Sequence, residues 1–118
     1  MPTATSQRPR WVEADAARLA RASWGLDASA EELPSERDQN FRLAAPDGAS
    51  YVLKLSGPAE RPENLDLQNA ALAWLERRAP DLSLPRVCPT PLGLATIDVA
   101  GPDGAPRLAR LLTFLHGR

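Results

Sequence analysis

Residues 35–55 read SERDQNFRLAAPDGASYVLKL. The segment divides into a polar turn, an alternating strand over Asn40–Ala44, a turn built from Pro46, Asp47 and Gly48, and a second strand over Tyr51–Leu55. Two strands joined by so short a loop form an antiparallel hairpin. Lys54 sits in the second strand among Val52, Leu53 and Leu55, and alternation sends it to the same face as Val52. An ammonium carried there must be paired, must face a ligand, or must reach water along its own stem. The turn before the hairpin is rich in groups that bind anions. Successive backbone N–H groups of Ser35–Phe41 form a candidate nest, with side-chain donors from Ser35, Gln39 and Asn40 and charge from Arg37. A phosphate held between that turn and Lys54 accounts for both features, whereas Asp38 reads as a solvated turn residue.

The rest of the chain is ordered around this hairpin. Residues 1–10 read as a flexible terminus. Trp11–Trp24 is helical, with Val12, Ala16, Leu19 and Ser23 on one stripe and Gly25 placed to end it. Glu31–Leu33 begins a strand that Pro34 cuts short. Pro62 suits the first turn of a second helix, with Glu63 favourable against the helix dipole, and this helix runs to Arg78. Pro80–Pro91 reads as a proline-punctuated loop. Leu94–Val99 is a strand, Gly101–Gly104 a turn and Arg107–Leu115 a final strand. The order predicts an α+β domain with a five-stranded, mostly antiparallel sheet, one packed helix and an N-terminal helix.

The second helix places Leu65, Leu72 and Leu75 on one face at 100° per residue, and Gln68 lies inside that stripe. A polar side chain aimed at a sheet without a partner costs roughly 1–3 kcal/mol. Convergence of Gln68 and Lys54 on one polar site removes both difficulties. A hydrogen bond from Gln68 to a backbone carbonyl at the sheet edge is the other reading.

Composition narrows the function classes. The 118 residues carry a net charge of −1, so nothing points to nucleic acid or to an anionic membrane surface. No apolar run reaches the ~18 residues of a membrane span, and the first ten residues hold no apolar signal core. The single cysteine, Cys88, excludes an internal disulfide and fits a reducing, cytoplasmic setting. Trp11, Trp24 and Trp74 read as packing groups. His116 stands without a second metal ligand.

Taken together, SERDQNF, YVLKL, LDLQNAALAWL, LPRVCPT and RLLTFLHG resemble the N-terminal lobe of the aminoglycoside phosphotransferase and choline kinase-like superfamily. The branch they look most like is that of the hydroxylysine-kinase-like phosphotransferases, which includes bacterial proteins with a class III aminotransferase domain following the kinase-like one. The resemblance spans residues 11–118. It implies that Ser35–Phe41 is the nucleotide-positioning loop and that Lys54 contacts the α- and β-phosphates of ATP. Gln68 falls where relatives carry the helix glutamate that pairs with this lysine, so the charge of that pair is absent here. Backbone groups of Thr113 and Leu115 would meet the adenine edge, and Leu53, Leu112 and Phe114 would wall the base.

The same resemblance places the catalytic base and the metal-binding carboxylate, hence Mg, in a C-terminal lobe. The chain holds no such motif after His116, so no catalytic or metal-ligating residue is assigned in it. The expectation is an ATP-binding lobe of a small-molecule kinase acting on a hydroxyl of an amino-alcohol-like or aminoglycoside-like acceptor, inactive alone. The competing expectation is a non-catalytic regulatory or interaction module in a multidomain aminotransferase protein. A lobe without its partner is also expected to self-associate through apolar surface at Leu112–Leu115.

Overall fold

The computed structural model describes residues 11–35, 38–57, 60–81 and 83–114. Arg37, Leu115, His116 and the first ten residues, to which the sequence assigns roles, lie outside them. Helix α1 spans Glu13–Trp24, followed by strands β1 (Ser29–Leu33), β2 (Gln39–Ala44) and β3 (Ser50–Leu55). Helix α2 spans Pro62–Arg78, and β4 (Val87–Cys88), β5 (Ile97–Ala100) and β6 (Pro106–Thr113) complete the chain. The fold is α+β, with one antiparallel sheet in the order β1-β2-β3-β6-β4 and β5 also paired to β6.

Among the described residues the sheet has six strands rather than five. The addition is β4, two residues that pair Val87 with Leu112 and Cys88 with Leu111. It hides in the sequence because two residues cannot show an alternation, and Pro85 and Pro89 flank it. Strand β1 begins two residues earlier than expected, at Ser29.

Two hairpin loops share one construction. Pro46-Asp47-Gly48 and Pro102-Asp103-Gly104 each put glycine in the left-handed region, at φ 91° and 83°. In each, the aspartate Oδ1 accepts from the backbone N–H two residues on, Ala49 at 2.9 Å and Ala105 at 3.0 Å. This pattern of turn plus left-handed glycine favours antiparallel strand pairing on either side.

Side chains on one sheet face build the core. Phe41, Leu43, Leu53, Leu55, Ala109 and Leu111 are buried there with Ala16 and Ala20 of α1. The two alanines let the helix axis approach the sheet closely, while Trp11, Leu19 and Trp24 flank the contact. Trp24 Nε1 also donates to the Cys88 carbonyl at 2.8 Å, tying α1 to β4. Gly25 ends α1 at φ 68°, and its N–H donates to the Arg21 carbonyl. Val12, expected on the buried stripe, is 56% exposed, because it caps the helix in extended backbone at φ −107° and does not lie on its face.

Helix α2 meets the opposite face, and mostly through polar groups. Leu65 is buried, Leu72 and Leu75 are half-buried, and Leu67 and Trp74 point outward. Trp74 is therefore not a core group; the Arg78 guanidinium lies over its ring at 5.3 Å. Leu112 is only 7% exposed, so its side chain adds little to the apolar surface expected at the end of β6. Among the described residues no helix is long and apolar enough to cross a membrane.

Candidate functional site

The α2 side of the sheet carries a row of polar residues in register. Asn40 of β2 lies opposite Lys54 of β3, and Lys54 lies opposite Arg110 of β6. Two residues along each strand, Arg42, Val52 and Leu112 form the next row on this face. Lys54 is the only lysine among the chain's 14 basic residues.

Arg110 is 5% exposed. Its Nη2 donates to Gln68 Oε1 at 2.6 Å and its Nη1 to Asn69 Oδ1 at 2.7 Å. Asn69 Nδ2 then donates to Thr96 Oγ1 at 2.9 Å, which fixes the amide orientation. Thus the polar residue in the leucine stripe of α2 does reach a cation on the sheet, but the cation is Arg110 and not Lys54. The sequence carries the same signal for both: Arg110 interrupts the apolar run Leu108-Ala109-Arg110-Leu111-Leu112 much as Lys54 interrupts β3.

Lys54 lines a small bay of about 70 Å³ with Asp38, Ser56, Glu60, Leu65, Gln68, Leu108 and Arg110. Among the described residues its ammonium forms no hydrogen bond or ion pair. Burial, and then the positive charge of Arg110, lower the Lys54 pKa, while Asp38 acts the other way. The Arg110 pKa is likewise lowered by burial, against the pull of Glu60 and Asp38. Asp38, expected as a solvated turn residue, therefore faces the site, and its Oδ1 accepts from the Gly57 N–H at 3.3 Å. The buried Oδ1 of Asn40 has no hydrogen-bond partner among the described residues.

Several expected site residues turn elsewhere. Gln39 faces the α1 side, where its Oε1 accepts from the Trp11 N–H at 2.8 Å and its Nε2 donates to the Trp11 carbonyl and Glu32. Leu53 alternates away from Lys54 and is fully buried in the α1-side core, so it does not wall the cleft. The Ser35 hydroxyl donates to the Asp38 carbonyl within its own turn. Thr113 donates its N–H to the Arg86 carbonyl and its hydroxyl oxygen accepts from the Arg86 N–H, both at 2.9 Å. That N–H is therefore spent on the sheet edge. Phe114 lies under the Arg42 guanidinium at 4.8 Å, and Arg42 Nε is buried without a hydrogen-bond partner. The structure thus gathers Asn40, Lys54 and Gln68 from the expected set, and adds Asp38, Glu60 and Arg110.

Two known proteins are similar to this chain. The chain is 30% identical over 115 residues to a hydroxylysine kinase from Danio rerio, covering 93% of this chain and 32% of that protein. It also superimposes on the structure of a microcompartment-associated aminopropanol kinase with a TM-score of 0.70 and 18% identity, over 86% of this chain and 31% of that one. No family model matches the chain. The chain spans about a third of the length of each kinase. It has a kinase-like phosphotransferase fold, and its α+β architecture resembles a kinase-like N-terminal lobe.

Proposed function

We propose that this chain is the ATP-binding lobe of a small-molecule kinase, with Lys54 as its phosphate contact. The observation that carries this reading is the placement of the chain's only lysine: half-buried on a central strand, in register with Asn40 and Arg110, and without a hydrogen bond or ion pair among the described residues. A strand fixes the direction of a side chain better than a loop does. Lysine offers phosphate oxygens a compact charge on a flexible stem, whereas the arginines around it suit planar, bidentate partners.

The residues present fit one end of the nucleotide. A bay of about 70 Å³ is small beside the ~300–1,000 Å³ of a typical small-molecule site, so it suits the phosphates and not the base. Lys54 and Arg110 give this bay two cations beside the carboxylates of Asp38 and Glu60, and the Ser56 hydroxyl lines it as well. The base then lies further along the same face, against Val52, Leu112 and Phe114. ATP, when bound, supplies the transferable phosphoryl group. Lys54 holds and orients the phosphates. The acceptor, an amino alcohol or related hydroxyl compound, together with Mg and the base that removes the hydroxyl proton, belongs to a C-terminal lobe. A following aminotransferase domain completes the arrangement that the resemblance implies, and the single cysteine fits a reducing, cytoplasmic setting.

The second reading is a regulatory module that keeps the fold without phosphoryl transfer. It is favoured by one observation: α2 gives its inward polar group, Gln68, to Arg110 and gives Lys54 no carboxylate. Calorimetric titration of the chain with MgATP separates the two. The kinase reading expects binding that Lys54→Ala weakens by at least about tenfold, about 1.4 kcal/mol. Equal affinity in both proteins gives the site to the regulatory reading.

A further inference from the structure

Two cations stand side by side on the α2 face, and the structure treats them differently. Arg110 is 5% exposed, and its two terminal nitrogens are held by consecutive side chains of α2, Gln68 and Asn69. Lys54, directly across the ladder, is half-buried and has no hydrogen bond or ion pair among the described residues. The partners of Arg110 are neutral amides. They satisfy its N–H groups without cancelling its charge. The carboxylates of Asp38 and Glu60 line the same bay, yet neither forms an ion pair with Arg110 or Lys54 among the described residues. Like charges directly opposite on a sheet repel. In the structure the Gln68 oxygen accepts from Arg110, and Lys54 makes no hydrogen bond to it.

We propose that Arg110 is the positioning residue of this site: it anchors α2 to the sheet through Gln68 and Asn69, and so keeps the Lys54 ammonium out of the helix contact and open to the phosphate of a nucleotide. This rests on the phosphate reading of Lys54. Arginine fits the task because its planar fork reaches two acceptors at once, and a lysine at the same place reaches them poorly. Asn69, held from behind by Thr96, makes the anchor stiff. Among the described residues the charges that face Lys54 come from three segments: Arg110 on β6, Asp38 before β2 and Glu60 before α2.

The test compares wild type, Gln68→Glu, Arg110→Met, Arg110→Lys and Lys54→Met in the full chain. The first readout is the Lys54 side-chain resonance in lysine-labelled protein without nucleotide, which is unambiguous because there is one lysine. The second is the affinity for MgATP. Gln68 is exposed, so Gln68→Glu keeps the fold even where an Arg110 variant does not. The inference expects Arg110 to capture the new carboxylate, the Lys54 resonance to titrate nearly as before, and ATP affinity to fall roughly three- to tenfold as positive charge is cancelled. Arg110→Met frees Gln68 for Lys54, so the Lys54 resonance moves and affinity falls by about tenfold or more. Arg110→Lys does not restore it. The inference is overturned if Gln68→Glu raises ATP affinity together with the Lys54 pKa, since Lys54 would then be the partner of α2. It is also overturned if Arg110→Lys behaves as wild type while Lys54→Met loses binding. Failure of the phosphate reading looks different: wild type and Lys54→Met then bind ATP alike, or wild type binds none.

Discussion

Lys54 and Arg110 face each other across the β3–β6 ladder, and only Arg110 is held by a partner on α2. Two positive charges at directly opposed positions cost free energy in the ligand-free chain, and burial adds to the cost. A fold built for stability alone would place an apolar residue at position 54. Replacing the lysine by a residue of similar length is therefore expected to stabilise the ligand-free protein, by up to about 1 kcal/mol, the upper range for cross-strand pairs. Urea unfolding of Lys54→Met against wild type checks this. A stability loss of similar size would mean that Lys54 is a net contributor to the fold.

The pH dependence follows from the same pair. Burial and then Arg110 set the Lys54 pKa below the ordinary lysine value. Between the lowered pKa and the ordinary one, the unfolded chain binds more protons than the folded chain, so stability rises with pH across that window. Below the lowered pKa the cost of the charged lysine is fully present; above the ordinary value it is gone. The advantage of Lys54→Met is thus expected to be largest near neutral pH and to shrink as pH rises through the alkaline window. Denaturation of both proteins at matched pH values measures it. A constant difference would show that charge is not the origin of the cost.

The core lies on the α1 side of the sheet. Phe41 is fully buried between β2 and its neighbours in the core cluster. Phe41→Ala is expected to cost about 3–5 kcal/mol, enough to unfold a domain of marginal stability. Loss of α1 packing should accompany it, read as a change in the fluorescence of Trp11 and Trp24, both of which pack on that core. A cost below about 1 kcal/mol would place the core elsewhere.

Gly25 gives a sharper local test. A Cβ placed there meets no atom within 4 Å, so crowding is absent, but φ is 68°. Gly25→Ala should therefore lose about 1–2 kcal/mol through backbone conformation alone. Gly25→Asn, which tolerates the left-handed region, should recover part of that loss on chemical denaturation.

Much of this fold was legible in the sequence because its signals are local. The Pro46-Asp47-Gly48 turn, Pro62 at the start of α2 and Gly25 at the end of α1 each act within a few residues, and each stands where the pattern put it. Alternation correctly set Lys54 and Val52 on one face. The same alternation, applied to Leu53 and Gln39, sends both to the α1 side, where the structure has them. The resemblance points Leu53 at the cleft, and the donor-rich turn points Gln39 there, each against that pattern. Arg110 was missed for a different reason. Its partners, Gln68 and Asn69, are about forty residues away in sequence. Strand order must be known before β6 can be seen beside β3. The pairing of Gln39 with Trp11 is equally nonlocal.

If Lys54 meets a nucleotide phosphate, its own side chain reports the contact directly. Lysine-labelled chain gives one side-chain resonance, which is followed against pH with and without saturating MgATP. Binding of phosphate oxygens favours the charged ammonium, so the resonance is expected to shift on titration and the Lys54 pKa to rise when ATP is bound. A resonance and pKa unchanged by ATP that binds elsewhere on the chain would contradict it.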